Sequence, residues 1–117
     1  MAITEPYELD GVTVTATELS IVSGTTTLQT ITDDGVYQLW VDGTATMVLA
    51  DEYKIRIYEK VEATGGVKKV VFTAILRHAQ SEIWVSPMLI LINGWDMTLQ
   101  KIAGTDRAFD ASIRKVA

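Results

Sequence analysis

The sequence predicts an all-β fold: a single antiparallel β-sandwich domain over residues 1–117, jelly-roll-like, with about eight strands. Three observations carry this expectation. Apolar and polar residues alternate with period two in most of the apolar runs. Val, Ile, Thr and aromatic residues fill those runs, and Gly- or Asp-bearing breaks separate them about every ten residues. No stretch shows the 3.6-residue periodicity of an amphipathic helix.

In chain order, residues 1–9 read as an extended N-terminal arm, whose Pro6 and Tyr7 suit a docking strand. Residues 11–17 and 25–32 follow as Thr-rich strands. Asp33-Asp34-Gly35 makes a turn into the strand 36–41, and Asp42-Gly43 makes the next. Residues 44–50 are ambiguous, since Ala45, Met47, Leu49 and Ala50 would also suit a short helical turn crossing the sheet, and they read as a loop. The clearest unit is a hairpin. In 53–61, Tyr53, Ile55, Ile57 and Val61 share one face, and Lys54, Arg56 and Lys60 share the other. Gly65-Gly66 supplies the positive φ that a tight loop requires before the second strand, 67–76. That second strand is apolar on both faces, with Val70, Phe72, Ala74 and Leu76 against Val71 and Ile75. Residues 88–92 share this property, so both are expected to be internal strands or to meet a neighbouring subunit. Asn93-Gly94 then leads into 95–102, and Gly104-Thr105-Asp106 into a last strand ending at Val116.

The chain has no Cys, which excludes disulfides, thiolate metal sites and cysteine nucleophiles. With 48% hydrophobic and 21% charged residues, it has the composition of a folded domain. The N-terminus lacks the basic and apolar regions of a secretory signal, which predicts synthesis in the cytoplasm. The apolar run 83–92 is about half the length of a membrane span and contains Pro87, so no membrane partner is expected. All ten Lys and Arg lie after residue 53, whereas nine of the fifteen carboxylates lie before it. Such a division favours complementary surfaces and self-association, as a dimer or trimer, provided the strands do not interleave the charges. The net charge of −5 argues against a nucleic-acid partner, although Lys54, Arg56, Tyr58, Lys68 and Lys69 would make a cationic sheet face.

Few residues point to chemistry. His78 is the only histidine, with no ligand spacing leading back to it, and reads as a surface residue at a strand end. Asp33 and Asp34 could join Asp42, Asp51 or Glu52 around Ca²⁺, but their spacing is that of a turn. Asp106, Arg107, Asp110 and Arg114 could form an ion-pair network. No Gly-x-Ser-x-Gly or phosphate-binding glycine loop is present. Trp40, Trp84 and Trp95 read as core or interface residues rather than a sugar-stacking platform. No catalytic residue, cofactor or metal site is therefore expected. The candidate functional residues are those of an interface: Tyr7, Phe72, Ile90, Arg107 and Arg114.

Four segments resemble small structural proteins from the head modules of tailed bacteriophages: Thr32-Asp33-Asp34-Gly35-Val36-Tyr37-Gln38-Leu39, Asp51-Glu52-Tyr53-Lys54-Ile55-Arg56-Ile57-Tyr58-Glu59-Lys60, Gly94-Trp95-Asp96-Met97-Thr98-Leu99, and Gly104-Thr105-Asp106-Arg107 leading into Ser112-Ile113-Arg114. The resemblance implies a capsid decoration, or cement, protein. Such a protein sits on the outer surface of the virion and clamps neighbouring subunits of the major capsid protein. It transfers no catalytic residue. A neck, tail or fibre-associated protein and a carbohydrate-binding β-sandwich are the alternatives.

Overall fold

The computed structural model describes residues 2–116. Nine strands are present among them: β1 (Ile3–Val14), β2 (Leu19–Ser20), β3 (Gly35–Asp42), β4 (Glu52–Glu59), β5 (Lys69–Arg77), β6 (Trp84–Val85), β7 (Leu89–Leu91), β8 (Asp96–Ala103) and β9 (Arg107–Val116). One sheet has the order β1-β9-β3-β6, with β7 also on β3; the other has the order β2-β8-β4-β5. Every pairing is antiparallel.

The pairings are nested. β4 pairs with β5, β3 with β6 and β7, β2 with β8, and β1 with β9. A long two-stranded ribbon is thus rolled around the β4–β5 hairpin. If β6 and β7 count as one strand interrupted at Ser86-Pro87-Met88, this is an eight-strand jelly roll. Pro87 at the break has no N–H to donate to a ladder. Backbone pairing is completed there by side chains, since Leu39 N–H donates to Ser86 Oγ at 2.9 Å.

The core lies between the sheets. Tyr37, Leu39 and Val41 of β3, Tyr53, Ile55 and Ile57 of β4, Met97 and Leu99 of β8, and Phe109 and Ile113 of β9 are all fully buried. Each contributes on the order of 1.5–3 kcal/mol by leaving water. Two aromatic clusters anchor the filling: Tyr37 and Trp95 with centroids 4.5 Å apart, and Tyr53 and Phe109 at 4.6 Å.

Several expectations need correction. Residues 3–9 are not a free arm but the first part of β1, paired along β9 from Ile3↔Val116 to Leu9↔Ala111. Residues 25–32 form no strand. They belong to the connection from β2 of the second sheet to β3 of the first, held by the isolated bridges Ser20↔Thr25 and Ile31↔Trp95. The β4–β5 hairpin is present, but its loop spans 60–68, with Gly65 at φ 72°. Val61 lies beyond the end of β4 and is exposed, and Glu59 takes the last inward position instead. Its carboxylate accepts the Ile92 and Asn93 N–H groups at 2.6 and 3.1 Å. Neither two-sided apolar strand is internal: β5 is the edge of its sheet, and β7 lies at the margin of the other.

Candidate interaction faces

Alternation along each strand determines which side chains turn away from the core. On the first sheet, the inward residues Leu9, Leu39, Val41, Ala111 and Ile113 leave Glu8 and Asp10 of β1, Asp110, Ser112 and Arg114 of β9, and Val36, Gln38, Trp40 and Asp42 of β3 on the outer face. Glu5 joins them by accepting a hydrogen bond from the Ser112 hydroxyl. Five carboxylates therefore share this face with one guanidinium. Asp42 and Asp110 lie directly opposite each other in the ladder, an unfavourable like-charge pairing. Asp110 recovers part of that cost by accepting the Gly11 N–H at 2.7 Å.

Crowding shows in the acidities. The hydrogen bond from Ser112 holds Glu5 below the usual carboxylate range, with Arg114 adding to the effect. Glu8 is raised, first by its hydrogen bond with Glu5 and then by the charges of Glu5 and Asp10. An open groove of about 300 Å³ runs between Glu8, Asp10, Trp40, Asp42, Asp110 and Arg114. The Arg114 guanidinium covers the Trp40 ring, 3.9 Å from its centroid, while Trp40 Nε1 donates to Gln38 Oε1 at 3.0 Å. Beside this acidic half, the β6–β7 margin is apolar and open: Ile83, Val85, Met88, Ile90 and Ile92 are all exposed, Ile90 to 75%.

The outer face of the second sheet has the opposite sign. Inward Tyr53, Ile55 and Ile57 leave Glu52, Lys54, Arg56 and Tyr58 outward on β4, with Arg77, Ile75 and Thr73 beside them on β5. Lys68 reaches over the Tyr58 ring at 5.5 Å and donates to the Gln29 carbonyl. The Glu18 carboxylate accepts the Tyr58 hydroxyl at 2.6 Å and lies 3.7 Å from Arg56. The cationic set read from the sequence is thus brought together, apart from Lys69 at the strand entrance. Val70, Val71 and Ile75 are exposed beside it.

No known family, curated protein or solved structure matches the chain.

Of the five interface candidates, Ile90 and Arg114 lie on the outer face of the first sheet. The other three turn inward. Tyr7 packs edge-on against buried Trp95 at 6.0 Å, and Phe72 sits 6.2 Å from Trp84 between the sheets. Arg107 closes one end of the sandwich on Asp51, with Nε 2.8 Å from Oδ2. The residues suspected of an ion-pair network act separately, Asp106 with Lys101 at 2.6 Å and Arg107 with Asp51. Trp95 is buried in the core and Trp84 is half-buried, while half-buried Trp40 lies on an outer face, outside the core half of the core-or-interface expectation. Alternation accounts for it, since inward Leu39 and Val41 flank Trp40 on either side.

The remaining polar candidates are engaged in holding loops. His78 Nδ1 accepts the Ala50 N–H at 3.1 Å, and the His78 N–H donates to the Asp51 carbonyl at 2.7 Å. Asp33 accepts the Tyr37 hydroxyl at 2.8 Å and Lys115 Nζ at 3.0 Å, and the Lys115 contact keeps it well ionised. Asp33, Asp42, Asp51 and Glu52 serve four different partners and do not converge. Among the described residues, no group of three or more acidic or histidine side chains is arranged for a metal ion.

Proposed function

We propose that this protein is a non-enzymatic assembly protein, of the kind that decorates the outer surface of a tailed-phage capsid and stabilises contacts between its major capsid protein subunits. The observation that carries the reading is the exposed apolar strip Ile83, Val85, Met88, Ile90 and Ile92 on a sheet margin. Contiguous apolar surface of this kind marks protein–protein contact. Its position beside a charged half supports a specific, oriented contact, since apolar burial supplies affinity and charge supplies register. The fate of the polar groups supports a structural role: Asp51, Glu59 and Asp96 are buried and their oxygens take loop N–H groups. A clamp that binds only the assembled shell stabilises it by mass action, and copies repeated by symmetry add to the effect. Sugar stacking fits less well, because the Trp40 ring is already covered by Arg114.

Quantitative mass spectrometry of gradient-purified virions of the phage encoding this chain tests the reading. A copy number on the order of hundreds per particle is expected from the symmetry of a decorated shell. A few to a few dozen copies would move the protein to the neck, tail or fibre. Absence from the particle overturns the virion role.

A further inference from the structure

We infer that the two outer faces of this sandwich bind each other, so that a second copy of the chain docks its basic β4–β5 face onto the acidic β1–β9–β3 face of the first. The inference does not depend on the virion reading, since it concerns the isolated protein alone. It starts from an imbalance. Among the described residues, the ion pairs join Glu18 to Arg56, Glu52 to Arg77, Asp106 to Lys101, Asp51 to Arg107 and Asp33 to Lys115. None involves Glu5, Glu8, Asp10, Asp42 or Asp110. The acidic face therefore carries like-charge repulsion, including the directly opposed Asp42 and Asp110, with no cation of its own chain paired to it in a salt bridge. On the other face, Lys54 likewise lacks a carboxylate partner.

The placement of charge and apolar surface along the two faces agrees. Asp42 at the end of β3 leads through 43–51 to the start of β4, so Asp42 and Asp110 share one end of the sandwich with Lys54 and Arg77. At the opposite end, Glu59 binds the Ile92 and Asn93 N–H groups, which brings exposed Ile90 to the same end as exposed Val70 and Val71. Two copies stacked in the same orientation, sheet on sheet, therefore set acid against base at one end and Ile90 against Val70 and Val71 at the other. Area is sufficient: the molecule measures 42 × 32 × 20 Å, and its broad face exceeds the roughly 800 Å² per partner of a standard interface. The contact is head-to-tail, using two different surfaces, so it closes into a ring where the rotation allows and otherwise extends as a filament.

Sedimentation equilibrium of the purified chain against salt and protein concentration tests this, with two charge-swapped variants. Asp42→Lys with Asp110→Lys makes the acidic face basic, and Lys54→Glu with Arg77→Glu makes the basic face acidic. Wild type is expected to self-associate at low salt and to weaken as salt rises. Each variant alone should associate at least about tenfold more weakly, the scale of close charge pairs across an interface, and an equimolar mixture should regain the lost mass. Ile90→Asp, at an exposed position that leaves the core intact, should weaken association without lowering the melting temperature. A wild type that stays monomeric at millimolar concentration and low salt overturns the inference. So does a mixture of folded variants that fails to regain mass, which would mean a two-fold contact using one patch.

Discussion

Asp51 and Asp96 are both buried, both clamp a loop with their two carboxylate oxygens, and have opposite acidities. Asp51, just before β4, accepts Val48 N–H at 3.0 Å, Thr105 N–H at 3.1 Å and Arg107 Nε at 2.8 Å. Asp96, at the start of β8 and the other end of the sheet, accepts the Ser20 hydroxyl at 2.7 Å, Gln29 N–H at 2.8 Å and Met97 N–H at 2.9 Å. Asp51 is held below the usual range, first by the Val48 N–H and with Arg107 contributing. Burial raises Asp96 above it, against the pull of the same kind of hydrogen bonds. Desolvation separates them: it is the leading influence on Asp96, whereas at Asp51 it is outweighed by the Val48 and Thr105 N–H groups together with the directly paired Arg107. Donated N–H groups and a paired cation together keep a buried carboxylate ionised, unless the loss of hydration outweighs them.

Removing each clamp tests that distinction. Asp51→Ala strips two loop N–H groups of their acceptor and leaves Arg107 without its anion, a loss of about 3 kcal/mol. The figure sits at the low end for a broken buried pair because the Arg107 side chain is 26% exposed and regains some water. Urea unfolding should show it as a lower midpoint with an unchanged slope. A loss under about 1 kcal/mol would mean that the pair behaves as a surface ion pair. Gly104 belongs to the same clamp: its φ is 89°, and a Cβ there would lie 2.2 Å from Asp51 Oδ1.

Asp96→Asn should cost less, about 1–2 kcal/mol, by the same measurement. The amide oxygen keeps the Ser20 and Met97 donors, but its NH₂ group meets the Gln29 N–H donor to donor. No buried cation is stranded. If the two substitutions cost the same, hydrogen bonding and not charge pairing controls both sites.

Much of this architecture was legible in the sequence, and the parts that were not have physical reasons. Tyr53, Ile55 and Ile57 announce β4 by strict alternation, and the burial of all three follows. The next inward residue, Glu59, was hidden because a carboxylate at a core position makes sense only with the Ile92 and Asn93 N–H groups, some thirty residues away. The two-sided apolar character of β5 and β7 pointed to internal strands because local pattern cannot separate a strand covered by the fold from an edge strand with an exposed face. Strand order was invisible for the same reason, since the nested pairings β3–β9 and β4–β8 join distant segments. Of the interface candidates, Ile90 and Arg114 reached an outer face. Arg107 did not, because its outward-seeking charge is captured by an aspartate 56 positions away. The charge division was visible, and although the strands do interleave, it persists as acidic and basic outer faces.

The subtlest expected effect is in the pH dependence of stability, where the two aspartates act on opposite sides of the ordinary Asp value of about 3.9. Asp96 is raised in the folded state, so between that raised value and about 3.9 the folded chain binds more protons than the unfolded one, and stability rises as pH falls. Asp51 is lowered, so below about 3.9 the unfolded chain binds more protons, and stability falls as pH drops through the folded value. Asp33 and Asp42, also lowered, add to that second loss. Urea midpoints followed from neutral pH downward should therefore pass through a shallow maximum near the ordinary Asp value before falling. Asp96→Asn should flatten the rise above it, apart from a residue left by Glu8, and leave the acid limb unchanged. Asp51→Asn should do the reverse, keeping the rise and shortening the fall. A maximum that survives unchanged in the Asp96 variant would assign the rise to the crowded Glu5–Glu8 pair of the acidic face. The buried carboxylate would then be carried at no cost, and the contrast with Asp51 would vanish.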